Sequence, residues 1–255
     1  MSRYGKAGME IWRNSKLSSR LKQEQKEGKI LSRKEWLFIK TTDKDLLILI
    51  PYFIWFCLPI IGYTMIIFAA LYPAYLPSTF ITPAVSEKIQ VEDKQYRNRI
   101  CTPLFTYFSN QLPSEEERKK WQEKEDNGHP NLILSQQKLI LTTFNLNNLK
   151  RQELLQIGGF LQLQLLQVLP AFLIKYRVTQ QLQFLQEDDH YLQAELPNLQ
   201  PSEKHQACLA RGLYPSPKTP HDHLLNQWLQ LSSQDVLLAF FWSVSLLHNT
   251  TKKTN

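Results

Sequence analysis

Asp45 is the ionisable residue of this sequence whose position most directly suggests chemistry, because it stands immediately before a long uncharged stretch. Residues 46–72 contain no Asp, Glu, Lys, Arg or His, and Pro51 and Pro59 interrupt them. A carboxylate at the edge of a bilayer, beside a kinked helix, is a candidate group for cation–proton exchange. One uncharged helix cannot enclose a polar path, so this hypothesis requires a homo-oligomer. The alternative, which we favour, is that Asp45 marks the interfacial start of a helix.

Residues of metal-binding type occur in the C-terminal third of the chain. His205 and Cys208 lie one helical turn apart, and His221 and His223 flank Asp222. A closed zinc site would need four converging ligands, so we favour capping and surface roles for these histidines. The three cysteines of the chain provide neither a disulfide framework nor a metal-type spacing. The sequence contains no nucleophile elbow, P-loop, dinucleotide fingerprint or HExxH motif. We therefore expect no enzymatic activity, no metal and no cofactor.

Arg211 lies at the end of a predicted helix and has two interpretations. Its guanidinium could satisfy the terminal carbonyls and complement the helix dipole, or it could pair with an RNA phosphate. We favour the structural role, and we likewise expect Trp228 to be a core anchor rather than a binding hot spot. The acidic run at residues 187–189 could bind a cation, but we predict that it is the solvated end of a helix over residues 171–186.

The elements that position these residues begin with the uncharged stretch. At about 1.5 Å per residue, a helix over residues 46–72 reaches about 40 Å, which exceeds the roughly 30 Å hydrocarbon core of a bilayer. Core helices rarely stay apolar on all sides over this length, so we predict a transmembrane helix rather than a buried core helix. Upstream, Ser32 and Glu35 form a capping box that starts an amphipathic helix over residues 31–45.

The charge of the chain is concentrated before the uncharged stretch. The formal net charge is +7, and almost all of this excess lies within residues 1–45. The near-neutral C-terminal part does not have the composition of a strongly basic nucleic-acid-binding domain. The first 22 residues carry six basic residues against one acid, Glu10, which is typical of a mitochondrial transit segment, and we predict this segment over residues 1–30. A solvated cytosolic arm is the alternative.

The sequence from residue 85 onward predicts helices. Residues 161–165 alternate between Leu and Gln as a strand would, but their flanks favour a helix. Ser202 is the predicted N-cap of one helix, and Gly212 is its predicted left-handed stop. Thr219 is the predicted cap of the next helix, with proline at its first position. Residues 236–247 are uncharged but too short to span a bilayer, so they predict a core helix. The fold class is therefore all-α.

Two separated stretches of the chain resemble the LETM family of mitochondrial inner-membrane proteins. The first combines LSRKE at residues 31–35, DLLILIP at residues 45–51 and LYPAYLPSTF at residues 71–80. The second combines QACLARGL at residues 206–213 with LLNQWL at residues 224–229, and it is similar to the family's AC-x-x-RG-[LM] and L-x-x-WL helices. Each motif is short, but their order and spacing around an apolar stretch support the resemblance, which covers roughly residues 30–247.

The resemblance implies a single-pass protein of the mitochondrial inner membrane, with its C-terminal helical bundle in the matrix. It implies that the bundle is a ribosome-binding, 14-3-3-like module that supports respiratory-chain protein synthesis or assembly and mitochondrial homeostasis. The expected partners are the mitochondrial ribosome, inner-membrane lipid and a second copy of the chain. The candidate ribosome-binding residues are Arg211, Lys204 and Lys218. The alternative function is part of a K⁺ or Ca²⁺/proton exchange system, in which Asp45, Pro51 and Pro59 are the candidate residues.

The predicted organisation has five segments. They are a transit segment (1–30), an amphipathic pre-membrane helix (31–45), a transmembrane helix (46–72), a proline-containing exit and connector (73–110) and a ribosome-binding helical domain (111–255).

Overall fold

The structure, a computed structural model, is helical in every regular element that it describes. It describes residues 3–56, 78–81, 83–111, 115, 130–135, 137–143, 146, 149–164, 166–217 and 219–252. Their α-helices are α1 (Arg3–Lys26), α2 (Arg33–Phe56), α3 (Pro83–Asn110), α4 (Pro130–Ser135), α5 (Gln137–Thr143), α6 (Arg151–Phe160), α7 (Ala171–Glu195), α8 (Pro201–Ala210), α9 (His221–Ser232) and α10 (Val236–Lys252). Three 3₁₀ turns accompany them, at Ser78–Phe80, Leu166–Val168 and Leu196–Asn198. This architecture confirms the predicted all-α class.

Two compact units divide the chain, residues 1–92 and residues 93–255. In the first unit α1 packs along α2, and their shared apolar cluster contains Leu21, Leu31 and Ile39. The predicted capping box at the start of α2 is confirmed. The amide of Ser32 donates to Glu35 Oε2 at 2.9 Å, and the amide of Glu35 donates to Ser32 Oγ at 3.3 Å.

The helix that starts at this capping box continues past the predicted boundary at residue 45, and the structure describes it as far as Phe56. The remainder of the predicted transmembrane helix, residues 57–72, lies outside the described residues, and so does Pro59. Within the described part of the chain, none of the helices combines the length and the apolar character needed to cross a bilayer. Residues 1–30, the predicted transit segment, contain α1, whose Leu21 belongs to the buried cluster with α2.

The core of the second unit forms around α10, most of whose residues are buried. This helix contacts α4, α5, α7 and α9. Its aromatic side chains pack against those of α3 and α6: Phe241 lies 5.2 Å from Phe108 between ring centroids, and Phe240 lies 5.3 Å from Phe160. The short uncharged stretch at residues 236–247 is therefore a core helix, as predicted.

The second unit includes much of the segment predicted as a connector. Cys101, Leu104, Phe105 and Phe108 of α3 all belong to its apolar core. Their spacing of three or four residues places them on one face of the helix, which explains why this face is buried. The core of the helical unit thus begins before residue 111.

Several helix ends differ from the predicted ones. Helix α7 continues through residues 187–189 to Glu195, so the acidic run is not a helix end. Helix α8 begins at Pro201, and a capping box joins Gln200 to Glu203, so Ser202 is not the cap. Helix α9 begins one residue later than predicted, at His221, and Thr219 does not cap it. In all three cases local propensity located a helix but left its ends undetermined.

The structure also tests the predicted helix stop at Gly212 and the two alternatives for residues 161–165. Gly212 has a φ of +73° and ends α8 in the left-handed conformation, as predicted. Residues 161–164 contain a turn after α6 and no strand, so the strand alternative is wrong there, and residue 165 lies outside the described residues. The helix predicted through this stretch is also wrong, because α6 ends at Phe160.

Candidate functional site

The second unit contains a buried cluster of charged side chains at the centre of three helices. Asp188 and Asp189 project from α7, and Arg211 follows the end of α8. The guanidinium of Arg211 donates to Asp188 Oδ2 at 2.7 Å and to Asp189 Oδ1 at 2.9 and 2.6 Å. Its side chain is 0% exposed. Burial disfavours a charged guanidinium, but the two carboxylates outweigh that penalty and raise the pKa of Arg211.

Neutral donors complete the coordination of Asp189. The indole Nε1 of Trp228 donates to Oδ1 at 3.0 Å and to Oδ2 at 2.9 Å. The hydroxyl of Ser232 donates to Oδ2. Trp228 and Ser232 are four residues apart on α9, so they share a face and reach the same carboxylate. The cluster therefore links α7, α8 and α9.

Local structure explains how the guanidinium enters the interior. Arg211 also donates to the carbonyl of Ala207 at 2.9 Å, which satisfies one of the last carbonyls of α8. The left-handed Gly212 then turns the chain out of the helix. A Cβ on Gly212 would lie 2.6 Å from the ring of Phe160, so the turn also requires a residue without a side chain. This placement favours the structural interpretation of Arg211 over a contact with phosphate.

The buried acids correct one expectation. Residues 188 and 189 are not a solvated helix end, because both side chains are buried and paired with Arg211. Trp228 is fully buried, so its predicted role as a core anchor is confirmed. The pairing of Arg211 with Asp189 spans 22 residues of sequence, and no local motif indicates a contact of that separation.

Arg97 is a second buried arginine, which sequence reasoning missed. Its guanidinium donates to the carbonyl of Phe160 at 2.7 Å and to that of Leu209 at 2.6 Å, which are the C-terminal ends of α6 and α8. It also lies 3.4 Å from the hydroxyl of Tyr214. Burial raises the pKa of Tyr214, and the neighbouring Arg97 opposes that shift. A cation among helix C-terminal carbonyls is favourable, so Arg97 holds these ends together.

In the first unit, Asp45 is buried and binds the segment that follows the uncharged stretch. The amide of Ser78 donates to Asp45 Oδ1 at 2.9 Å, and the hydroxyl of Ser78 donates to Oδ2 at 2.5 Å. These bonds connect α2 to the 3₁₀ turn across 33 residues. Pro51 lies within α2. The structure thus places Asp45 at a contact between two segments that the sequence separates by its most apolar stretch.

The remaining candidates surround the turn between α8 and α9. Lys204 pairs with Asp222 at 2.7 Å, and His205 Nδ1 lies 3.3 Å from His221 Nε2. Burial raises the pKa of the Cys208 thiol to about 12, which opposes formation of a metal-binding thiolate.

No group of three or more His, Cys, Asp or Glu side chains among the described residues could hold a metal ion. Lys218 lies outside the described residues. Of the other two predicted ribosome-binding residues, Arg211 lies in the interior and Lys204, in the first turn of α8, forms an ion pair with Asp222 of α9.

Comparison with known proteins finds the same family that the motifs suggested. A family model described as LETM1-like, RBD matches residues 31–246. A fission-yeast protein (Schizosaccharomyces pombe), the LETM1 domain-containing protein mdm28, mitochondrial, is 25% identical over 218 residues, which are 81% of this chain. The aligned region is 45% of that relative, so the chain matches about half of the relative's length. No solved structure matches the chain.

Proposed function

This chain belongs to the LETM1-like family, and on that basis we propose that it is a mitochondrial inner-membrane protein whose helical unit binds the mitochondrial ribosome. Binding would hold the ribosome beside the membrane and support synthesis and assembly of respiratory-chain proteins. The observation that carries the proposal is the family match, which runs from Leu31 to Leu246 and thus includes both the helix before the uncharged stretch and the helical unit after it.

The anchor in this proposal is the uncharged stretch at residues 46–72. Its length suits a single span, and the name of the fission-yeast relative supports a mitochondrial location. We place the helical unit, residues 93–255, on the matrix side, where ribosomes are. Protease protection in tagged mitochondria tests this arrangement. A C-terminal tag that is degraded in mitochondria with an intact inner membrane would contradict it.

The ribosome-binding surface in this proposal combines Lys204, in the first turn of α8, with Lys218, in the segment between α8 and α9, rather than the buried arginine. Arg211 has no exposed surface, so it supports the contact only by fixing the end of α8. Lys204 and Lys218 are the candidates for direct contact. Lys204 lies in a partly exposed ion pair with Asp222, which a ribosomal acidic group or phosphate could replace.

Co-sedimentation of the full chain with mitochondrial ribosomes tests this surface. The double variant Lys204→Glu, Lys218→Glu should reduce binding by about tenfold, because each reversal places a carboxylate where the partner requires a cation. Lys138→Glu, at an exposed position of α5, is the matched control and should bind as the parent does. Full retention of binding by the double variant would remove this surface from the proposal, and no sedimentation of the parent chain would remove ribosome binding itself.

Cation–proton exchange is the second candidate function, and the burial of Asp45 is the observation that favours it. The bonds that the structure describes at this carboxylate come from the neutral donors of Ser78. A buried ionisable group beside a predicted membrane span is a candidate for ion transport. In proteoliposomes, Asp45→Asn should abolish K⁺- or Ca²⁺-coupled proton flux. Asp43→Asn, which removes the half-exposed partner of Lys22, should leave the flux intact. Equal flux in both variants would exclude Asp45 from transport.

A further inference from the structure

The exposed apolar side chains of the second unit are concentrated at one place. Between residues 93 and 255, four of the five exposed large apolar side chains that the structure describes lie within nine residues. They are Val168 (78% exposed), Phe172 (69%), Leu173 (37%) and Tyr176 (60%). We call this set the 168–176 patch. Its two aromatic and two aliphatic side chains present on the order of 400 Å² of apolar surface, which is the size of the largest patches on soluble monomers and is often functional.

Helix geometry keeps the patch together. Phe172 and Tyr176 are four residues apart in the first turns of α7, so they lie on one face of the helix. Val168 is in the 3₁₀ turn that precedes this helix, from which Leu169 and Pro170 separate it. The opposite face of α7 carries Ile174 and Val178, which are fully buried in the core. The helix thus has a second apolar face in addition to the one that the core requires.

Two arginines fix the backbone that presents the patch. Arg151, at the start of α6, donates to the carbonyl of Gln167 at 2.5 Å and to that of Leu169 at 3.3 Å. Arg177, on α7, donates to the carbonyl of Gln164 at 2.7 Å. All three bonds go to neutral carbonyls, so no carboxylate offsets the guanidinium charges in these bonds. Cations therefore hold the backbone segment that leads into the patch.

The charge around the patch is positive. Residues 149–186 contain four basic residues, Lys150, Arg151, Lys175 and Arg177, and one acidic residue, Glu153. The second unit as a whole is almost neutral, so this segment differs from its surroundings. Aromatic and aliphatic side chains surrounded by Lys and Arg are the combination by which peripheral segments bind anionic lipid, since the apolar groups enter the acyl boundary and the cations pair with phosphates.

We propose that the 168–176 patch docks the helical unit onto an anionic phospholipid surface. The apolar groups favour lipid over RNA, because a nucleic-acid backbone would pair with the cations and leave Val168 and Leu173 without a partner. The uncharged stretch at residues 46–72 would hold the same chain at the bilayer, so docking would be intramolecular and would need little affinity of its own. This inference rests on the membrane anchor of the proposed function, but it does not depend on ribosome binding.

A spin label on the full chain tests the proposal. The label is placed at Tyr176→Cys in a Cys57→Ser background, because Cys101 and Cys208 are fully buried and do not react readily. A label at Gln193→Cys, at an exposed position about 25 Å further along α7 at 1.5 Å per residue, is the matched control. Each chain is reconstituted in vesicles of phosphatidylcholine alone or with phosphatidylglycerol, and the collision rates of the label with oxygen and with a nickel chelate are measured.

In the phosphatidylglycerol vesicles, the label at position 176 should collide more often with oxygen and less often with the nickel chelate, and the ratio of the two rates should rise at least about threefold over that in phosphatidylcholine. The label at position 193 should show no such change. Adding Phe172→Ser should cancel the shift at position 176, while the circular dichroism of the chain stays unchanged.

Two other results would overturn the proposal. Loss of collisions with both reagents would mean that protein covers the patch, either a second copy or, if it occurs only after ribosomes are added, the ribosome. Unchanged collisions in both kinds of vesicle would mean that the patch stays in water. The failure of docking would leave co-sedimentation with ribosomes unaffected, so the two proposals are tested separately.

Discussion

Asp45 in the first unit and Asp189 in the second are both buried carboxylates, but their partners differ. Asp45 accepts hydrogen bonds from the amide and the hydroxyl of one residue, Ser78. Asp189 accepts from the guanidinium of Arg211, the indole of Trp228 and the hydroxyl of Ser232. The first carboxylate connects two segments through neutral donors, whereas the second belongs to a charged network that joins three helices. The difference predicts different tolerance to the loss of charge.

The largest effect is expected from the same substitution at the two sites. Asp189→Asn leaves Arg211 paired with Asp188 but replaces the charged acceptor of three buried donors, so it should lower the free energy of unfolding of the second unit by about 2–3 kcal/mol. Asp45→Asn keeps an acceptor for Ser78 and should cost the first unit about 1 kcal/mol. Hydrogen exchange of peptides from each unit measures both values. Equal costs would mean that the charged donor Arg211 stabilises the carboxylate of Asp189 no more than the neutral donors of Ser78 stabilise that of Asp45.

Two glycines with positive φ provide the next comparison. Gly212 has a φ of +73°, and a Cβ there would lie 2.6 Å from Phe160. Gly28 has a φ of +100°, and no atom within 4 Å would meet a Cβ. Gly28→Ala should therefore cost only the backbone strain, about 1–2 kcal/mol, whereas Gly212→Ala should cost more because Phe160 must also move.

The melting temperatures of the two glycine variants provide the measurement. A smaller shift for Gly212→Ala than for Gly28→Ala would show that the chain around Phe160 relaxes without cost.

The capping boxes of the two units are expected to have smaller and similar effects. Ser32→Ala removes the hydroxyl that caps α2, and Gln200→Ala removes the side chain that caps α8. Each should cost about 0.5–2 kcal/mol, since a cap satisfies one or two terminal amides. Urea denaturation of both variants measures the two costs. A negligible cost for Ser32→Ala would mean that the packing of α1, rather than the cap, fixes the start of α2.

The smallest effect is a pH dependence in the first unit. Hydrogen bonds from the Ser32 amide and from Lys29 lower the pKa of Glu35 below its ordinary 4.5. The unfolded chain therefore binds this proton at a higher pH than the folded chain does. The stabilisation is complete above pH 4.5 and is lost as the pH falls through the folded pKa.

In Glu35→Gln this part of the acid sensitivity should disappear, as measured by unfolding at pH 3 and at pH 6. An unchanged pH dependence in that variant would assign the acid sensitivity to other groups.

The sequence predicted those features that depend on neighbouring residues. Ser32 and Glu35 form their capping box, Gly212 adopts the left-handed conformation, and residues 236–247 form a core helix. Each of these follows from local geometry or from an uninterrupted apolar stretch.

Contacts between distant residues could not be predicted in the same way. The run at 187–189 has the composition of a solvated helix end, and the burial of Asp188 and Asp189 depends on partners at least 22 residues later in the chain. Arg97 reaches Leu209 across 112 residues, so no local pattern marks it as a core residue. The bond from Ser78 to Asp45 depends on the return of the chain after the uncharged stretch.

A double-mutant cycle of Arg211→Met and Asp188→Leu tests most directly whether the buried charges act as one structural unit. Arg211→Met leaves both acids without their cation, whereas Asp188→Leu leaves Arg211 paired with Asp189. In the double variant the Arg211–Asp188 contact is lost only once, although each single variant already loses it. We predict that the double variant is at least about 2 kcal/mol more stable than the sum of the single effects implies. Additive effects, within about 0.5 kcal/mol, would contradict the assignment of Arg211 as the internal partner of these acids.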